Sequence, residues 1–175
     1  PMRSVLLAVL YVWTITAWAA VHTPGFILHS YSQEYPWTKR QHESFIGTLE
    51  TLPNHVFSTS VEYLDTKRIA YSSVNAERMA VYLAEKYRDY RPRFIYVTDD
   101  NALSFALTHL MRIFHDTPVF FSGVNNHQIR GQIDPARVTG VFEHKEIAPN
   151  LALMRQIAPA ISDILVVGDR SETYR

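Results

Sequence analysis

Residues 94–105 read FIYVTDDNALSF, and this stretch decides the fold. Its first five residues are strand-forming without clean alternation, which is typical of a strand covered on both faces. Two carboxylates and an amide follow directly at 99–101, and an apolar helical pattern begins at Ala102. A buried strand that passes straight into a helix is the repeating unit of α/β proteins with parallel sheets.

The same alternation of strand and helix continues in both directions along the chain. Apolar residues at helical spacing predict helices that begin at Pro36, near Asn75 and at Ala102, and a further helix over 147–157. Short apolar runs predict strands at residues 26–28, 59–64, 94–98, 118–121, 138–142 and 164–167. We therefore predict an α/β fold with a doubly wound, mostly parallel sheet.

Polar residues follow the predicted strands where each strand ends. Because right-handed crossovers bring the carboxyl ends of parallel strands to one edge of the sheet, we expect these residues to converge there. Open sheets of this kind bind their ligands at that edge. The polar clusters lie at residues 30–37, 65–68, 99–101 and 122–126 and at Glu143.

The composition limits the classes of function. Of the 175 residues 47% are hydrophobic and 19% are charged, and the formal net charge is zero. This balance is typical of a globular domain, and without a basic run it predicts no nucleic-acid partner. The absence of cysteine excludes disulfides, a thiol nucleophile and thiolate metal ligands.

The N-terminal segment has the pattern of an export signal. An apolar run at 5–13 follows Arg3, and residues 17–19 (AWA) match the small-x-small cleavage pattern. A retained membrane anchor through residues 4–20 and a buried first strand or helix are the alternatives, since the apolar run is close to the lower limit for a span. We predict a signal peptide or signal anchor over residues 1–20, and a location in the periplasm or on the extracytoplasmic face of the inner membrane.

Familiar catalytic and cofactor motifs are absent from the sequence. The turn after the first predicted strand contains no glycine, which argues against dinucleotide binding, and there is no Walker A loop. A phospho-acceptor site would need acids after the first strand to hold Mg²⁺, and that position reads His29, Ser30 and Tyr31. Neither HExxH nor GxSxG occurs, so we predict no metal, no cofactor and no catalytic residues.

The polar residues at 99–101 then have two interpretations. One carboxylate could cap the following helix and favour its dipole, which stabilises by about 1 kcal/mol. A second acid and an amide exceed what a cap needs, and binding pockets place a few polar groups among apolar walls. The aromatic residues Tyr31, Tyr35 and Trp37 of the first loop likewise either anchor the loop or enclose a small organic solute.

Several of these stretches occur in the same order in one protein family. They are ILHSYSQEYPW (27–37), VEYLDTKR (61–68), YVTDDNAL (96–103), FFSGVNN (120–126), TGVFE (139–143) and ILVVGDR (164–170). On these motifs the chain resembles the ABC-type substrate-binding-protein-like domains, which have a type I periplasmic-binding-protein fold. Such domains often form the extracytoplasmic sensor region of bacterial histidine kinases and diguanylate cyclases.

The resemblance implies two α/β lobes with the ligand between them. Residues 21–143 match the first lobe, and residues 144–175 match the hinge and the start of a truncated second lobe. The implied ligand is a small polar organic solute similar to an amino acid, and Asp99 or Asp100 would balance the charge of its amine. The implied ligand-binding residues are Ser30, Tyr31, Tyr35, Trp37, Asp65, Asp99, Asp100, Asn101, Gly123, Asn125, Asn126 and Glu143.

The implied function is that of a non-enzymatic, small-molecule-binding sensor domain at the input of a bacterial signal-transduction protein. The full-length sensor would be a homodimer, and residues 4–20 would attach it to the membrane. The solute-binding component of an ABC transporter is the alternative, since it shares the fold. An exported α/β hydrolase that uses the two acids at 99–100 as acid and base is a third candidate, although the nucleophile and metal motifs are missing.

Overall fold

The computed structural model describes residues 21–144, 146–165 and 167. The predicted leader at 1–20 and the predicted strand-end residues Gly168 and Asp169 lie outside this part of the chain. Within it, no helix is both long enough and apolar enough to cross a membrane.

Strands and helices alternate along the described residues, as the sequence predicts. The strands are β1 (Val21–His29), β2 (His55–Tyr63), β3 (Phe94–Thr98), β4 (Val119–Val124) and β5 (Val138–Phe142). The helices are α1 (Pro36–Glu50), α2 (Ser73–Lys86), α3 (Asp99–Phe105), α4 (Met111–Ile113) and α5 (Ile147–Ile157). A π-helical stretch (Ala106–Leu110) joins α3 to α4, and a 3₁₀ helix (His127–Gln132) precedes β5.

The strands form one five-stranded sheet in the order β2-β1-β3-β4-β5, and every neighbouring pair is parallel. This confirms the predicted α/β class and parallel sheet. β1 is longer than its apolar run because it pairs with β2 along its whole length, from Val21 opposite His55 to His29 opposite Tyr63. Pairing therefore extends both strands beyond the bounds that hydrophobicity alone predicts.

Both faces of the central strands are buried. On one face Ile27, Phe94 and Tyr96 pack against Phe45, Ile46 and Leu49 of α1. The opposite face packs against α2 and α3 and forms the larger core, which includes Phe26, Leu28, Ala76, Leu83, Ile95, Val97, Leu103 and Phe105. Alternate side chains of β1 and β3 point to opposite faces of the sheet. Consecutive apolar residues along each strand therefore pack against the helices on both faces.

One predicted strand is wrong. Residues 164, 165 and 167 are not in a strand, and Leu165 is 88% exposed. β5 is an edge strand of the sheet, and residues 164, 165 and 167 do not pair with it. The helix predicted over 147–157 does form as α5, but none of its residues is buried.

Candidate functional site

Three strands leave the carboxyl edge of the sheet through a backbone conformation that L-residues rarely adopt. The φ angle is +52° at Asp65 after β2, +67° at Asp99 after β3 and +69° at Gly123 near the end of β4. Glycine adopts this left-handed conformation freely, and aspartate tolerates it. Local backbone strain of this kind clusters at functional sites, so the carboxyl edge of the sheet is the candidate site.

Ser30 ties the end of β1 to the end of β3. Its buried hydroxyl donates to the carbonyl oxygen of Thr98 (2.7 Å) and accepts from the backbone N–H of Ala102 (2.8 Å). Helix α3 begins at Asp99, and its N-cap residue makes no side-chain cap hydrogen bond. The interpretation of an acid at 99–101 as the N-cap is therefore wrong, because Thr98 is the N-cap and a serine from the neighbouring strand serves the first turn. Asp99 and Asp100 do lie in that turn, where a carboxylate favours the helix dipole.

Asp99 is a buried acid with neutral hydrogen-bond partners. The indole N–H of Trp37 donates to its Oδ1 (3.0 Å), and Gln41 Nε2 lies 3.4 Å from its Oδ2. Only 2% of the residue is exposed. Burial raises the pKa of the Asp99 carboxyl from 3.8 to about 7, although the hydrogen bond from Trp37 works in the opposite direction. Close to neutral pH this acid is therefore poised between its two protonation states.

Asp100 has a different role from its neighbour. Its Oδ1 accepts from the backbone N–H groups of Asn125 (3.0 Å) and Asn126 (2.8 Å). Asn126 in turn caps the 3₁₀ helix, since its side chain accepts from the backbone N–H of Gln128 (3.1 Å). Asp100 thus fixes the loop that follows β4.

Glu143 lies at the end of β5, half-buried. Its backbone N–H donates to the carbonyl oxygen of Val124 (2.8 Å), and Asn125 Nδ2 donates to its Oε2 (3.0 Å). His127 Nε2 contacts its carbonyl oxygen at 2.8 Å. Backbone and side chain of Glu143 are therefore both held against the loop that Asp100 fixes.

An open cavity of about 530 Å³ lies between α1 and the ends of β3, β4 and β5. Its walls are largely aromatic and aliphatic, with a few hydroxyl and amide groups and one carboxylate, which is the composition of small-molecule sites. Asp99 lies directly beneath it, since its contacts Trp37 and Gln41 form part of the wall. The lining residues are Trp37, Gln41, Ser44, Phe45, Thr48, Tyr96, Ser122, Gly123, Val141, Phe142 and Glu143.

A chain of hydrogen bonds connects this wall to Asp99. Ser122 Oγ donates to Gln41 Oε1 (2.7 Å), and Ser122 Oγ lies 2.6 Å from the Tyr96 hydroxyl. Because the one hydroxyl hydrogen of Ser122 is used on Gln41, the Tyr96 hydroxyl must donate to Ser122. The chain therefore has a single direction, from Tyr96 through Ser122 to Gln41, whose amide faces Asp99.

Gly123 allows two elements to come close together at this point. A Cβ added there would lie 3.1 Å from Asp99 Oδ1 and 3.2 Å from Gln41 Nε2, and the residue has a positive φ as well. Any side chain at Gly123 would therefore push on the Asp99 carboxylate beneath the cavity and on the Gln41 amide in its wall.

The remaining predicted site residues lie towards β2, at the other end of the carboxyl edge. The Lys67 ammonium lies 5.0 Å from the Tyr31 ring centroid and 5.7 Å from that of Tyr35, and the two rings meet edge to face. Tyr31 is buried and Tyr35 is exposed. The pair therefore anchors the first loop, as one of its two interpretations expects, and does not line the cavity.

Asp65 and Asn101 also stand apart from the cavity. Asp65 Oδ2 accepts from Arg68 Nη1 (3.0 Å), while its Oδ1 is buried and has no hydrogen-bond partner within the described ranges. Asn101 Nδ2 donates to Thr66 Oγ1 (3.2 Å). These contacts hold the turn after β2 against the start of α3.

Two histidines, one from β1 and one from α1, form a second polar cluster where this helix packs on the sheet. The ring nitrogens of buried His29 contact Thr98 Oγ1 (2.9 Å) and His42 Nδ1 (3.1 Å). Burial lowers the pKa of His29 to about 3 and also lowers that of His42, so both rings are neutral at pH 7. His42 and Tyr63 border an open cavity of about 600 Å³.

No group of three or more His, Asp or Glu side chains in the described ranges could hold a metal ion.

Only three of the twelve predicted residues line the cavity, namely Trp37, Gly123 and Glu143. Asp99, Asp100 and Asn125 do not line the cavity. Asp99 and Asn125 hydrogen-bond to the lining residues Trp37 and Glu143, and Asp100 holds the backbone of Asn125. The sequence prediction missed Gln41, Phe45 and Tyr96, and it placed Ser122 only in the polar cluster at 122–126. A signal existed for two of them. Gln41 and Phe45 follow Trp37 at intervals of four along α1, so they share its helix face.

Comparisons with protein-family models, with curated proteins and with solved structures found no match for this chain. The resemblance to periplasmic binding proteins therefore stays a prediction, and the chemistry of the carboxyl edge is the basis for assigning a function.

Proposed function

We propose that this chain is an extracytoplasmic small-molecule-binding domain that acts as the sensor input of a signal-transduction protein. The observation that carries the binding role is the 530 Å³ cavity at the carboxyl ends of β3, β4 and β5, with the buried acid Asp99 beneath it. Ligands of open α/β sheets bind outside the carboxyl ends of the strands. An acid with a strongly shifted pKa beside a cleft is a further mark of a functional site.

The arrangement of the two adjacent acids supports binding rather than hydrolysis. A hydrolase would need Asp99 and Asp100 to act together on one substrate as acid and base. Asp99 accepts hydrogen bonds from Trp37 and Gln41, whereas Asp100 accepts two backbone N–H groups of the loop after β4. Two acids with separate structural partners do not form a catalytic pair.

The sensor role, the two-lobed periplasmic-binding-protein architecture and the extracytoplasmic location belong to the same proposal. They rest on the sequence resemblance and on the predicted leader at 1–20. A solute-binding component of a transporter would use the same cavity, so ligand binding there is expected for both roles.

Trp37 provides the test of ligand binding. In a chain that carries Trp13→Phe and Trp18→Phe, Trp37 is the single tryptophan. Small polar organic solutes, amino acids and amines among them, are added and the fluorescence of Trp37 is followed. Calorimetry on the unsubstituted chain is the second readout. We expect saturable binding that Gly123→Val abolishes and that Gly131→Val, on the exposed 3₁₀ helix, leaves unchanged. Failure of every solute to bind in both assays would refute the proposed function.

A further inference from the structure

The charge that a ligand meets in the cavity can be assigned to one residue. Three acids lie close to the cavity, at positions 99, 100 and 143. Asp100 accepts two backbone N–H groups, and Asp99 lies beneath Trp37 and Gln41 with 2% exposure. Glu143 is the one charged side chain among the described residues that line the cavity. A ligand in the cavity therefore meets the carboxylate of Glu143 before any other charge.

The carboxylate of Glu143 is held in place before a ligand arrives. Asn125 Nδ2 donates to its Oε2, and Asp100 fixes the backbone of Asn125. Such preorganisation lowers the entropy that binding must offset. The Arg130 guanidinium lies 4.3 Å from the Phe142 ring centroid, so it already occupies the cation-binding face of that ring.

The rest of the cavity favours a flat apolar body. The rings of Phe45 and Tyr96, which both line the cavity, stack with centroids 3.8 Å apart and planes 10° apart and so give it an aromatic side. Trp37 lies on the same helix as Phe45, and Val141 and Phe142 from the end of β5 also line the cavity. Aromatic side chains bind flat apolar groups by offset stacking and edge-to-face contact.

We propose that the cavity binds an aromatic amine or a closely similar apolar cation, with the ring between α1 and the sheet and the ammonium at the carboxylate of Glu143. This assignment rests on the proposed ligand-binding function and deepens it. It also corrects the expectation that Asp99 or Asp100 balances the ligand charge, because neither carboxylate faces the cavity as an available ion.

Four probes of equal ring size and different charge test the assignment. They are phenethylamine (a cation), phenylalanine (a zwitterion), 2-phenylethanol (neutral) and 3-phenylpropionate (an anion), each titrated by calorimetry into the chain. A half-buried ion pair of about 1.4 kcal/mol corresponds to a tenfold difference in Kd. We therefore expect phenethylamine to bind about tenfold more tightly than phenylethanol, and phenylpropionate to bind most weakly.

Two matched variants identify the residue. Glu143→Gln keeps an oxygen that Asn125 can hydrogen-bond, so its melting temperature should stay close to that of the unsubstituted chain. It should weaken phenethylamine binding about tenfold and bring it level with phenylethanol. Glu43→Gln removes a 61%-exposed acid of α1 that lies outside the cavity lining, and it should change nothing.

The outcomes separate the two proposals. Binding of phenylethanol or phenylpropionate as tightly as phenethylamine would overturn the amine assignment and leave the ligand-binding function standing, and this comparison needs no variant. Equal loss of affinity in both glutamine variants would show a general effect of net charge and would also overturn it. If no probe binds and no other solute changes Trp37 fluorescence, both proposals fail.

Discussion

Replacing Asp99 with asparagine should change how the stability of this protein depends on pH. Asparagine keeps an oxygen that can accept the indole N–H of Trp37, has nearly the same volume and tolerates the φ of +67° at this position. What the variant loses is the ionisable group. The comparison therefore isolates the proton of Asp99 from its packing.

The size of the effect follows from the shift in pKa. The Asp99 pKa is 3.8 without the folded environment and about 7 within it, and the residue is 2% exposed. A difference of roughly three units corresponds to about 4 kcal/mol. Below pH 3.8 the carboxyl is protonated in both states and contributes nothing. As pH rises to about 7 the unfolded chain ionises first, so the free energy of unfolding falls, and above that pH the loss is constant.

His29 acts in the opposite direction and hides this trend in the unsubstituted chain. Burial lowers its pKa from 6.5 to about 3, so its contribution to the free energy of unfolding is complete above pH 6.5 and is lost as pH falls towards 3. Over the shared range the two slopes oppose each other. The quantity to measure is therefore the difference between the two chains at each pH and not the pH profile of either one alone.

Urea denaturation from pH 4 to pH 8 supplies that difference. We expect the free energy of unfolding of Asp99→Asn, relative to the unsubstituted chain, to rise by about 4 kcal/mol between these limits. Asp89→Asn, at an exposed position, controls for the removal of one negative charge. A difference that varies by less than about 1 kcal/mol over this range would mean that Asp99 ionises as readily in the folded chain as in the unfolded one. The argument from burial would then be refuted.

Three further substitutions test the packing around the site, each by urea denaturation at one pH. Gly25→Ala should destabilise by about 1–3 kcal/mol, since its Cβ would lie 2.2 Å from the buried ring of Phe94. Gly47→Ala should instead stabilise by about 0.5–1 kcal/mol, because it lies inside α1 with no atom near the added Cβ; destabilisation there would contradict the geometry of α1. Ser30→Ala should cost about 1–3 kcal/mol, because it leaves a buried backbone N–H of α3 without its acceptor. An unchanged stability for Ser30→Ala would show that another group or water takes over that N–H.

The order of elements and the parallel sheet could be predicted because they depend on local pattern. Apolar runs that bury both faces, separated by amphipathic helices, leave few other arrangements. The strand predicted at 164–167 shows the limit of this reasoning. An apolar run forms a strand only where it pairs with a neighbour. Among the described residues the outer edge of β5 is open, yet residues 164, 165 and 167 do not pair with it, and the sequence of the segment does not reveal this.

The roles of the two adjacent acids could not be predicted from the sequence. Asp99 and Asp100 are chemically identical and consecutive, yet one is buried under an indole and the other holds two backbone N–H groups. The turn at Asp99 and partners 58 and 62 residues away decide the difference. Only the assembled sheet brings α1 over the end of β3, so no local motif carries this information.

The location of the cavity over Asp99 has an energetic meaning. At neutral pH a buried acid here costs the fold about 4 kcal/mol that a neutral residue of the same shape would not. A cation bound at Glu143 lies near this acid and favours its ionised form, so ligand binding offsets part of that cost. The free energy of the unliganded chain thus includes an electrostatic cost at Asp99 that the proposed ligand would reduce. A buried acid whose cost falls on binding couples the proposed ligand to the ionisation of Asp99, because a ligand shifts an equilibrium only through its different affinity for two states.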